Sequence, residues 1–166
     1  MDNVQDVHWV MPTGVSDVLA GAPISDFVGT SVPTDTVCFK KYNTAYFLII
    51  NCLGTAGTHA ITAIPYDSVG GTATTAIPFM YKRCHTTDTN TAWAWATSNT
   101  VTTTAGSDQI YIVKVSADDL PIVSGVKYEY CSLLLTAVDS TAVLGGCIIM
   151  MADPRYAQDT TETVIT

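Results

Sequence analysis

The residues of this chain that could do chemistry are few and scattered. Histidine occurs at His8, His59 and His85, and the last adjoins Cys84. A thiol beside an imidazole is the pairing that a cysteine nucleophile needs, with the ring as general base. Neighbouring residues of a strand project from opposite faces, however, so Cys84 and His85 make neither a dyad nor a shared metal site. The three histidines follow no metal-ligand spacing. Asp118, Asp119 and Asp153 are hard oxygen donors of the kind calcium takes, but the D-x-D-x-D-G loop is missing. Asp118 and Asp119 read instead as charges at a helix start, and Asp153 as a partner for Arg155. Neither Gly70-Gly71 nor Gly145-Gly146 opens a helix after a strand, so neither is a phosphate loop. The second pair reads as a bulge or as room for close sheet packing. No catalytic residue, metal or cofactor is assigned, and the chain is expected not to be an enzyme. Trp93, Trp95, Tyr66 and Tyr81 admit stacking on sugar rings. The expectation adopted is that these aromatics fill a core or a subunit contact.

The elements that must carry these residues are strands. Residues 1–36 are punctuated by Pro12, Gly14, Gly21, Pro23, Gly29 and Pro33, which breaks any long helix or strand. The same stretch holds Trp9, Val10, Met11, Leu19, Ile24 and Phe27, too apolar for a disordered tail. It is expected to be an extended N-terminal arm, lying on its own domain or on a neighbouring subunit, with 37–166 as the β domain and its short tail. From Val37 the β signals come in order. Val37–Tyr42 and Tyr46–Leu53 are joined by a turn at Asn43-Thr-Ala45, where asparagine tolerates the left-handed conformation. Thr58–Tyr66 and Thr74–Cys84 follow, with Pro65 and Pro78 marking edges or bulges. Thr91–Thr97 alternates tryptophan with alanine. Val101–Thr104 is short, and Gln109–Ser116 is apolar on both faces. Ser116 caps about one helical turn that Pro121 ends. Two long runs, Tyr128–Val138 and Ala142–Met151, read as a hairpin about the polar turn Asp139-Ser-Thr141. The expected fold is all-β, an antiparallel two-sheet sandwich of jelly-roll type with about eight strands, a closed barrel being the other solution.

Composition agrees. Across 166 residues, 48% are hydrophobic and only 13% charged, and threonine makes up roughly one residue in six. β-branched residues fit a half-buried pleated surface, and a surface so poor in charge is expected to serve partly as an interface. The net charge of −8 argues against nucleic acid or an anionic membrane as partner, since no basic patch is present to displace counterions from phosphate. The pairs Lys40-Lys41 and Lys82-Arg83 split across strand faces. The five cysteines (Cys38, Cys52, Cys84, Cys131, Cys147) are odd in number and lack C-x-x-C spacing. They are expected to be free, mostly buried thiols of a protein made in a reducing cytoplasm. The first residues lack the basic start and apolar core of a signal peptide, and the apolar run Ala142–Ala152 is too short to span a bilayer as a helix.

One resemblance adds a function. Ala117-Asp-Asp-Leu-Pro121, then the long run to Val138, then the final run to Met151 and the ending Asp153-Pro-Arg-Tyr156 stand in the order found in head-decoration, or cement, proteins of tailed bacteriophages. The pattern covers about a third of the chain. The resemblance implies a small, non-enzymatic β protein made in the host cytoplasm. Such a protein binds the virion exterior between capsomers and staples the major capsid protein as a homo-oligomer, dimer or trimer. Candidate contacts with capsid or subunit are Trp9 and Phe27 in the arm and Arg155 and Tyr156 in the tail. A carbohydrate-binding β-sandwich, lectin-like or serving virion adhesion, is the alternative.

Overall fold

A computed structural model describes residues 8–10, 25–26, 31–53, 57–86, 89–105, 109–138, 141 and 144–156. Its early strands are β1 (His8–Val10), β2 (Ser25–Asp26), β3 (Ser31–Pro33), β4 (Val37–Cys38), β5 (Tyr42–Leu53) and β6 (His59–Tyr66). Next come β7 (Met80–Thr86), β8 (Thr89–Asn90), β9 (Ala94–Trp95), β10 (Thr100–Thr102) and β11 (Gln109–Ser116). The last are β12 (Ile122–Val123), β13 (Val126–Lys127), β14 (Tyr130–Ala137) and β15 (Leu144–Pro154). One 3-10 turn, Ala117–Asp119, is the only helical piece among the described residues.

The chain is an all-β sandwich of two antiparallel sheets. The eight-stranded sheet runs β1-β15-β5-β11-β7-β8, with β2 also on β15 and β9 also on β7. The five-stranded sheet runs β10-β6-β14-β3, with β4 also on β14. Strands β4 to β7 alternate between the sheets, as do β10, β11, β14 and β15, so the connections bridge the layers. Period-two sequence places the faces. On β6, His59, Ile61, Ala63 and Pro65 are buried, and on β11 so are Gln109, Tyr111, Val113 and Val115, while the residues between them are half-buried. The inward side chains of Phe39, Tyr42, Phe47, Ile49, Phe79, Leu133, Leu135, Ile149 and Met151 complete one continuous core.

Several local expectations give way to pairing. The turn expected at Asn43–Ala45 is absent, because β5 is continuous there. Thr44 and Ala45 are paired to Ala152 and Met151 on one side and to Ser116 and Val115 on the other, and the pairing of Tyr42 and Thr44 to β15 on either side of Asn43 keeps the asparagine in the strand. The C-terminal hairpin does not form either. β14 lies in the five-stranded sheet and β15 in the other, since both runs bury inward side chains from opposite layers of the same core. The strand expected from Thr74 begins only at Met80. Before it, Ala73 and Ile77 make isolated bridges to Tyr66 and Ala63, and Pro78 lacks the N–H that a ladder needs. Gly145 and Gly146 are buried at a register shift between Leu144 and Gly145 on β15, as their small size suggests.

Of residues 1–36, the described pieces extend this chain's own sheets. β1 pairs Trp9 with Met150, β2 pairs Ser25 and Asp26 with Gly145 and Leu144, and β3 pairs Val32 with Leu135. Val32 belongs to the core. Beside it, the Thr34 N–H donates to the Leu133 carbonyl at 2.8 Å while the Leu133 N–H donates to the Thr34 hydroxyl at 2.9 Å. β3 thus continues the five-stranded sheet on β14, ahead of β4.

Leu133 is fully buried between the sheets. Leu133→Ala is expected to cost about 2–5 kcal/mol in urea unfolding, and the half-buried neighbour Leu134→Ala distinctly less. His59 is also fully buried, with its Nδ1 3.4 Å from the Thr103 hydroxyl. Burial lowers its pKa from 6.5 to about 4. Above pH 6.5 the ring is neutral in both folded and unfolded chains. As pH falls from 6.5 to 4 only the unfolded chain takes up the proton, so the native state loses up to about 3 kcal/mol. Unfolding curves across that range should show this slope, and His59→Gln should flatten it whatever its effect at neutral pH.

Candidate functional site

The outward face of the eight-stranded sheet is assembled by register. Leu48 on β5 lies between Ile148 on β15 and Ile112 on β11, with Lys82 of β7 next in the row. Tyr46 lies between Met150 and Lys114, followed by Met80. These side chains are half-buried rather than solvated. Over them sits the segment after β8. The Thr91 N–H donates to the Arg83 carbonyl at 2.8 Å, the Arg83 N–H to the Thr91 hydroxyl at 2.8 Å, and the Ala96 N–H to the Phe79 carbonyl at 2.9 Å. This tether presents Trp93 to the sheet. Tyr46, Leu48, Lys82, Trp93, Ile112 and Met150 then enclose a groove of about 320 Å³.

Two neighbouring aromatic rings lie between two ammonium groups at this groove. The Lys114 ammonium lies 6.0 Å from the centre of the Tyr46 ring, Tyr46 and Trp93 are 6.3 Å apart, and Lys82 lies 5.4 Å from the Trp93 ring. Cations over ring faces at such distances are attracted by the ring quadrupole. Trp93 and Trp95 are 40% and 57% exposed, which corrects the expectation that they fill a core. The strand is shorter than its alternation implies, two residues paired to the outer edge of β7, so the tryptophans fall outside the sandwich and only Ala96 turns inward. The other outer face is different in kind. Ser31 and Thr136 hydroxyls meet there at 3.2 Å, the Thr62 hydroxyl donates to the Leu134 carbonyl at 3.3 Å, and Lys40 lies 3.7 Å from Glu129 and 5.6 Å from the Tyr130 ring centre.

A second surface feature follows β11. The Ser116 hydroxyl accepts from the Asp118 N–H, and the Asp119 carboxylate accepts from the Ser116 N–H, closing a capping box on the expected single turn. The chain then makes a ribbon in which Ile122 pairs with Lys127 and Val123 with Val126. Ser124 and Gly125 both have positive φ, 51° and 81°, the twist that a two-residue hairpin requires. Buried Leu120 and Tyr128 anchor its base, where the Tyr128 N–H donates to the Pro121 carbonyl at 3.0 Å. Its tip is apolar and open: Ile122 is 69% and Val126 53% exposed. Sequence reasoning passed over this ribbon, although Ser-Gly between β-branched residues is its signal.

Of the four residues proposed from sequence, Arg155 and Tyr156 lie within the described residues with their side chains. Trp9 sits on β1 opposite Met150, its side chain lying outside the described residues with the whole of Phe27. Arg155 is half-buried and its N–H donates to the Lys41 carbonyl at 2.8 Å. It forms no ion pair with Asp153, which has φ 57° and is exposed. The left-handed backbone there turns the carboxylate outward. Tyr156 is 67% exposed. Among the described residues, no three or more His, Cys, Asp or Glu side chains come together in a way that could hold a metal ion.

Burial pushes the Cys131 thiol far up and the Cys147 thiol to about 12, while Cys38 and Cys84 are half-buried. Since the thiolate is the reactive form, a thiol reagent should label Cys38 and Cys84 in the folded protein. It should reach Cys131 and Cys147 only as the chain unfolds, with peptide mapping as the readout. Compared with known proteins, the chain matches no family model, no curated protein and no solved structure.

Proposed function

We propose that this chain is a structural protein of a virus particle, seated on the exterior of the shell and joined to the major capsid protein and to copies of itself. The observation that carries this reading is the strand order. One sheet holds β1-β15-β5-β11 and the other β3-β14-β6-β10, and the chain crosses between layers at each step of β4, β5, β6 and β7 and again of β10, β11, β14 and β15. We take this as a jelly roll, the two-sheet arrangement that recurs in viral capsid subunits and in lectins. Fold alone does not assign function, and three further features favour the shell. Only 13% of residues are charged, the outer face of the eight-stranded sheet is apolar, and the C-terminal pattern resembles phage decoration proteins. In this reading the chain acts by occupying surface. A protein that engages the closed shell and not its ruptured form stabilises the shell by mass action, and repetition of the contact over symmetric sites makes weak contacts effective.

The exposed Trp93 and Trp95 favour a second reading, sugar binding. Stacking supplies only part of what a sugar needs, because its hydroxyls also require polar partners. The groove offers them little beyond the Lys82 ammonium and the Tyr46 hydroxyl.

The test is to assemble particles with and without the chain and heat them. Particles lacking it should form but release their genome at a lower temperature, and adding the purified chain should restore them and carry it into the particle fraction on sedimentation. Particles of equal robustness, with the chain left in the supernatant and binding a glycan at fixed stoichiometry, would replace this reading by the lectin one.

A further inference from the structure

We draw no further inference here: the strongest candidate, the apolar groove that Tyr46, Leu48, Trp93, Ile112 and Met150 form across the outer face of the eight-stranded sheet, carries nothing because nothing in the structure shows what covers it.

Discussion

The pairing of β5 along both of its edges is the constraint on which the rest of this molecule depends. Tyr42–Leu53 is bonded to β15 on one side and to β11 on the other, and its period-two alternation assigns Phe47 and Ile49 to the core and Tyr46 and Leu48 to the outside. A slip of one residue in either ladder would exchange these sets, bringing a tyrosine ring into the sandwich and two core side chains into water. The same register that closes the core therefore aligns Leu48 with Ile112 and Tyr46 with Lys114. Core and groove are two faces of one alignment, and neither can be shifted without the other.

The two outer faces show how one sandwich supports two kinds of surface. On the five-stranded sheet, threonine and serine hydroxyls bond to one another and to strand carbonyls, as between Ser31 and Thr136 or from Thr62 to Leu134. That face meets its polar needs locally and suits contact with water. On the eight-stranded sheet, the rows of isoleucine, leucine and methionine have no such provision, and the lysines there lie over aromatic rings.

Much of the fold was legible in the sequence wherever a strand alternates cleanly or a cap is local. β6 and β11 fall within a residue of their expected spans, and the capping box at Ser116 needs only its own neighbours. Where the expectation failed, a distant partner decided. Asn43 looks like a turn until the pairing of its neighbours Tyr42 and Thr44 to β15 keeps it in the strand. Asp139–Thr141 looks like a hairpin turn, yet turn chemistry says nothing about whether the following strand returns to the same sheet or crosses to the other. The alternation of Trp93 and Trp95 is real, but period two cannot say which face meets the core. The candidate surface was correspondingly hard to see. Its members come from β5, β7, β11, β15 and the segment before β9, and they become neighbours only through register. The β12–β13 ribbon, by contrast, carried a readable Ser-Gly turn signal that the apolar runs on either side obscured.

The order in which these strands are made bears on how the chain reaches this state. β5 emerges early in synthesis, whereas β15, which covers one of its edges, lies about a hundred residues later in the chain. Until β15 is complete, a long apolar strand has an open edge, and the loop that must close to cover it is among the largest the domain contains. Long-range antiparallel pairing of this kind slows folding and prolongs the exposure of sticky intermediates. The chain is therefore most vulnerable to misassembly during its own production, before its last strand arrives.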